Sequence, residues 1–118
     1  MAFKHFEDVS AWKLARKLNQ ELTKTLDLSA NPLTASFLRT CTLDIMNCIA
    51  EAFEKEDSQY FTKQLYSARG ACGKLRSLLY VAFDEEIFTQ EQLDDLTVKC
   101  YTISDSILQL IRSLQRIK

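Results

Sequence analysis

Apolar residues recur along this chain at alternating steps of three and four, in four separate runs. Between Leu38 and Phe53 the run is Leu38, Cys41, Ile45, Cys48 and Ala52, with a second row of Phe37, Met46, Ile49 and Phe53 beside it. That spacing is the inner seam of an α-helix packed on other helices at a shallow angle. Two rows make this helix apolar over more than half its circumference, which suits an element with neighbours on several sides. The first run is Ala11, Leu14, Ala15, Leu18, Leu22 and Leu26, flanked by Val9 and Trp12. The third is Phe61, Leu65, Ala68, Cys72, Leu75, Leu79 and Ala82. The fourth is Leu93, Leu96, Cys100, Ile103, Ile107, Leu110, Leu114 and Ile117.

Start and stop signals divide these runs into helices at about 9–26, 32–56, 58–84 and 90–117. Residues 1–7 read as a short arm, and Asp8 or Ser10 is placed to cap the first helix. Asp27 to Asn31 forms a link. Asn31 then caps the second helix and Pro32 takes its first position, where a missing N–H costs nothing. Asp57 or Ser58 caps the third. Asp84, Glu85 and Glu86 follow its last apolar position, and a helix C-terminus disfavours negative charge, so the helix breaks there. Ile87 and Phe88 fill an apolar connection. Thr89 and Gln92 form a capping box, with Glu91 in the favourable first turn. Arg112, Arg116 and Lys118 close the fourth helix with the sign its end prefers. Four long helices with short links predict an all-α, antiparallel up-down-up-down four-helix bundle. Gly70 and Gly73 fall inside the third helix, each costing about 1 kcal/mol relative to alanine, which predicts a close backbone approach at both, the alternative being tolerated drift on a solvent face.

Composition narrows the class. The chain has 118 residues, enough for one domain with one core. It is 47% hydrophobic and 26% charged, which excludes disorder. Two glycines and one proline leave too few turn residues for a β-rich fold. The first seventeen residues lack an apolar run of the kind a signal peptide carries, and no stretch is apolar enough to span a membrane. The expected location is therefore the cytoplasm. Cys41, Cys48, Cys72 and Cys100 lie on apolar seams without a CxxC pair, and His5 is the one histidine. Buried, reduced thiols acting as small hydrophobes are expected, not disulfides or a metal site.

Two surpluses remain. Phe37, Phe53, Tyr60, Tyr66, Leu78, Val98, Tyr101, Leu108 and Ile111 exceed what one bundle seam holds, and such a patch on a small bundle points to self-association. Charge is also segregated. Residues 58–83 carry Lys63, Arg69, Lys74 and Arg76 with no acid, whereas residues 84–96 carry Asp84, Glu85, Glu86, Glu91, Asp94 and Asp95 with no base. The formal net charge of −1 hides this polarity. At about 100° per residue, Lys63 and Lys74 share one direction and Arg69 and Arg76 another. One stripe is expected to meet solvent or phosphate, the other Asp94 or Glu91 of a neighbouring subunit.

Catalysis finds no support in these residues. A di-iron bundle needs Glu-x-x-His on two helices, and no histidine follows His5. A Cys–His pair fails because His5 lies in the arm. Asp44 and Glu51 share a helix face but read as solvated or interface carboxylates. Gly70 and Gly73 sit mid-helix, not in a phosphate loop. No enzymatic activity and no cofactor are expected.

The order of landmarks resembles the 23S rRNA intervening-sequence proteins, small bacterial four-helix bundles first noticed as reading frames inside large-subunit ribosomal RNA genes. The matching pieces are FEDVSAWKLARKL at 6–18, LRTCTLDIMNCIAEAFEKED at 38–57 and FTKQLYSARGACGKLRSLL at 61–79. Phe6, Ala11, Trp12 and Ala15 fit the family's first motif. Arg39, Ile49, Ala50 and Glu51 fit the second, and Phe61, Leu65, Ala68, Gly70 and Leu75 the third. Departures fall at Thr40, Asp44, Met46, Cys48, Ala52, Ala71 and Lys74, so the chain resembles a divergent member. The resemblance implies a ring of five subunits. It is also similar to the accessory protein of diversity-generating retroelements, a ring that binds nucleic acid and a reverse transcriptase. RNA, DNA or a nucleic-acid enzyme is then the implied partner, with Arg39, Lys63, Arg69, Lys74 and Arg76 as candidate contacts. Those relatives are strongly basic, whereas this chain has a pI near 5.8. The alternative is a protein-interaction module without a nucleic-acid role, in which the basic face meets a neighbour's acidic 84–96 segment.

Overall fold

Each apolar run forms a helix in the computed structural model, which describes residues 5–26, 31–55 and 57–117, with side chains as far as Ser113. The helices are α1 (Ser10–Thr25), α2 (Pro32–Glu54), α3 (Ser58–Asp84) and α4 (Gln90–Ile117), and no strand occurs among the described residues. The chain is all-α. The expected link at 27–30, the arm at 1–4, Glu56, Lys118, and the side chains of Leu114, Arg116 and Ile117 lie outside the described residues. Close contacts join α1 to α2, α2 to α3, α3 to α4 and α4 to α1, giving a four-helix bundle whose diagonal pairs stay apart. The body measures 47 × 21 × 20 Å. Its long axis is close to the length of α4, since each helical residue rises about 1.5 Å.

The core is the predicted seams with two local shifts. Leu18, Leu22, Leu38, Ile45, Leu65, Leu75, Leu79, Ile103 and Ile107 are buried at 2% exposure or less. A buried side chain of this size contributes about 1.5–3 kcal/mol through removal of apolar area from water. In α2, Ile49 replaces Cys48 as the inward residue, and in α4, Ile111 replaces Leu110. Cys48 and Leu110 are half-buried instead. The physical cause is helical phase: a straight helix of 3.6 residues per turn drifts about 20° per heptad against a strict 3.5 repeat. Ile49 and Ile111 lie about 40° round the helix from buried Ile45 and Ile107, whereas Cys48 and Leu110 lie about 60° round on the other side.

Helix ends follow local chemistry where the sequence supplies a polar cap. The Asn31 side chain accepts from the Thr34 N–H at 3.2 Å, with Pro32 in the first turn. Asp57 accepts from the Gln59 and Tyr60 N–H groups. Thr89 and Gln92 complete a reciprocal capping box at 2.9 and 3.1 Å. The first helix departs from expectation: its N-cap is Val9, with no side-chain cap, preceded by a 3₁₀ turn at Phe6–Asp8. Here packing replaces polar capping, because Val9 is buried and the Phe6 ring meets Trp12 edge-on at 5.1 Å.

The end of α3 is a Schellman closure. Ile87 N–H donates to the Ala82 carbonyl and Glu86 N–H to the Phe83 carbonyl, both at 2.9 Å. That geometry places Glu86 at φ 63, in the left-handed region that favours glycine. Thr34 of α2 donates its hydroxyl to the Glu85 carboxylate at 2.6 Å. Replacing Glu86 with glycine removes the left-handed penalty, about 1–2 kcal/mol for a side-chain-bearing residue. Glu86→Gly should therefore raise unfolding stability by about 1 kcal/mol in urea melts; an unchanged or lowered midpoint would refute this reading.

Three cysteines are core residues: Cys41, Cys72 and Cys100 are 7%, 0% and 1% exposed. The expectation of four buried thiols fails at Cys48, which the phase shift leaves half-buried. Burial pushes the Cys72 thiol up to about 11 and the Cys100 thiol up to about 12. Burial, then the Asp44 carboxylate, raises those of Cys41 and Cys48 as well. Each raised value favours the neutral thiol in the folded chain. Its stabilising contribution is complete below the ordinary value of 9.0 and is lost as pH rises toward 12. Titration with a thiol reagent near pH 8 should label Cys48 first, the other three reacting only on unfolding. Equal rates at all four positions would contradict the packing.

Candidate functional site

Burial of Leu65, Ala68, Cys72, Leu75 and Leu79 fixes the rotation of α3, and so decides what its other faces show. The outward row is Tyr66, Gly70, Gly73, Ser77 and Tyr80, with Val81 beside its end, at steps of four, three, four and three. Beyond the adjoining backbone of α3 itself, no atom lies within 4 Å of where a Cβ would stand on Gly70 or Gly73. The close backbone approach expected at these glycines is therefore absent within the chain, because both sit on the outer face of α3.

The four cations of α3 separate into the two predicted stripes. Lys63 and Lys74 are exposed, whereas Arg69 and Arg76 are half-buried. Lys74 lies on the α2 side, where its charge acts on the Cys41 thiol. Arg69 and Arg76 lie on the α4 side. Arg69 Nε donates to Ser104 Oγ at 3.2 Å, and the Arg76 guanidinium sits 4.4 Å from the centre of the Tyr101 ring. Such a cation–π contact contributes about 0.5–1 kcal/mol when exposed. Arg39 is exposed on α2 but stands apart from these residues. It is two positions, about 200° of helix, from Cys41, and so faces away from Lys74. Its carbonyl lies 2.9 Å from the Thr42 hydroxyl, which also reaches Asn19 of α1 at 2.7 Å. The five candidate residues are thus three separate groups.

None of the five has a carboxylate partner among the described residues. The two ion pairs found there both belong to Lys99, with Glu21 at 2.6 Å and Asp95 at 2.9 Å. Between the end of α2 and the start of α3, Glu51 accepts from the Tyr60 hydroxyl and the Gln64 amide, each at 2.7 Å. The Tyr60 hydroxyl is raised above its ordinary pKa, first by that bond to Glu51. Lys55 lies 4.5 Å from the Tyr60 ring. This closed cluster ties the two helices at their connection.

Of the nine surplus apolar residues, several find places in the fold. Ile111 is a core residue at 0% exposure. Phe53 meets Phe61 edge-on at 4.9 Å, and Leu78 packs against the core. Phe37, Tyr66, Val98 and Tyr101 remain about half exposed or more, at 51%, 48%, 63% and 53%. Leu33, Leu43, Tyr80 and Val81 join them. Sequence reasoning missed those four, although Tyr80 continues the Tyr66–Gly70–Gly73–Ser77 row, a signal that was present. The described residues contain no cluster of histidine, cysteine or acidic side chains fit to hold a metal. No helix there is long and apolar enough to cross a membrane.

A search among curated proteins gives no match to this chain. The family model of the 23S rRNA-intervening sequence protein matches residues 7–109, which include all of α1, α2 and α3 and most of α4. Arg39, Glu51 and Gly70, the exposed landmarks of the resemblance, fall within that match, and Phe6 lies just before it. The chain belongs to the 23S rRNA-intervening sequence protein family.

Proposed function

We propose that this protein is a non-enzymatic, self-assembling bundle of up-down-up-down helices that forms a cytoplasmic ring and serves as a scaffold for nucleic acid or a nucleic-acid enzyme. The observation that carries the assembly is the apolar and aromatic surface left uncovered on α3 and α4, namely Tyr66, Tyr80, Val98 and Tyr101. Exposed large apolar and aromatic residues grouped on two neighbouring helices mark contact sites. The alternating helix directions draw support from cross-helix bonds. Thr34 near the start of α2 meets Glu85 just past the end of α3, and Glu51 near the end of α2 meets Gln64 near the start of α3. Five is the subunit number that the family resemblance implies.

The nucleic-acid part rests on Lys63 and Lys74, which are exposed, lie on one stripe and have no acid on their helix between Ser58 and Phe83. Phosphate contacts from such a stripe release counterions, so binding weakens steeply with salt. A second reading, a protein-interaction module without nucleic acid, draws on the net charge of −1 and on the acid-only 84–96 segment. Salt dependence separates the two.

Light scattering on the purified chain should give a mass near five times 13.6 kDa. A 13.6 kDa particle at micromolar concentration would contradict assembly. For nucleic acid, anisotropy titrations with labelled RNA and DNA should show log affinity falling with log salt, by about 0.7–0.9 per phosphate neutralised. Lys63→Glu with Lys74→Glu should weaken that binding and flatten the slope while leaving the mass unchanged. Binding that is absent or insensitive to salt would leave the interaction module as the function.

A further inference from the structure

Arg69 and Arg76 combine properties that single them out from the other surface cations. Both are half-buried, so their charges are partly removed from water. Each has a neutral partner, a serine hydroxyl in one case and a tyrosine ring in the other, and neither has a carboxylate among the described residues. Along α3 they fall between exposed Tyr66 and Tyr80, and Arg76 stacks on exposed Tyr101 of α4. Arginine and tyrosine around an apolar centre is the composition of interface hot spots, and lysine is depleted from them.

The same chain carries the complementary charge. Past Phe83 come Asp84, Glu85 and Glu86, then Glu91, Asp94 and Asp95. Within the chain Glu85 is engaged by Thr34, Asp94 by Gln90, and Asp95 by Lys99. Asp84, Glu86 and Glu91 are exposed and have no ion pair among the described residues. Asp84 and Glu86 occupy a helix C-terminus, which disfavours negative charge. Counting helix rise, Arg76 lies about 15 Å and Arg69 about 25 Å from that end along α3, too far for contact inside one copy.

We propose that the Tyr–Arg face of α3 and α4 docks the acidic α3–α4 connection of a second copy of this chain, Arg69 and Arg76 pairing with Asp84, Glu86 and Glu91. This rests on the self-assembly reading above and assigns its two contacting surfaces. In a ring the contact is head to tail, each copy offering its Tyr–Arg face to one neighbour and its acidic end to the other. Phosphate is the weaker candidate for this face, because exposed Asp94 and Asp105 stand on the same α4 that supplies Tyr101.

Charge reversal in two chains tests the contact. One variant carries Arg69→Glu with Arg76→Glu; the other carries Asp84→Lys, Glu86→Lys and Glu91→Lys. Each alone should require at least about tenfold more protein to assemble, with helical circular dichroism unchanged. Combined in one chain the five reversals should recover assembly, since every reversed face then meets a reversed end whatever the number of subunits in the ring. Variants that assemble like the wild type, or a helical combined variant that stays dissociated, would overturn the assignment. Should the arginine variant lose its helicity, the lysine variant decides alone: it places bases at a helix end that favours them, and wild-type assembly in it refutes the contact. A monomeric wild type would instead defeat the self-assembly reading itself.

Discussion

The packing of α3 against both α2 and α4 is the constraint on which the remaining structure depends. α3 takes part in the two most extensive helix contacts of the bundle. Its inner row mixes Leu65, Leu75 and Leu79 with the small residues Ala68, Ala71, Cys72 and Ala82. Small side chains let neighbouring helices approach, and interiors packed to crystal-like density leave little freedom of rotation. A turn of α3 by one residue, about 100°, would withdraw Leu65, Leu75 and Leu79 from the core together. The orientation is thereby locked, and with it the faces that carry Lys63 and Lys74, Arg69 and Arg76, and the tyrosines.

That lock gives the surface a division of labour. The α2 side of α3 is closed by Glu51, Tyr60 and Gln64 near its start. On the α4 side, the contacts of Arg69 and Arg76 are short-range and neutral, and the apolar residues beside them remain exposed. Among the described residues, ion pairs occur at Lys99 alone. Surface pairs contribute only about 0–1 kcal/mol each, so stability here comes from the core.

Much of this was legible in the chain. Helix number and type follow from the four runs, and Asn31, Asp57 and Thr89 act as caps because a cap needs only its own next few residues. Where a property depended on distant parts the reading failed. The drift from Cys48 to Ile49 and from Leu110 to Ile111 reflects how straight the helices run. Val9 replaces a polar cap because Phe6 and Trp12 pack beside it. Glu86 adopts a left-handed backbone that its side chain gives no hint of. At the candidate site, helical phase separated the lysine stripe from the arginine stripe. The contacts with Ser104 and Tyr101 needed the neighbouring helices in place.

The most direct test of the claim that the outer face of α3 and α4 is covered by another copy is tyrosine reactivity followed residue by residue by mass spectrometry. Tyr66, Tyr80 and Tyr101 are about half exposed in the single chain. Nitration at high protein concentration should spare these three, and dilution below the assembly range should restore their reactivity. Tyr60, held by Glu51 and Gln64, should change little between the two conditions. Equal modification of Tyr66, Tyr80 and Tyr101 at every concentration would contradict the account.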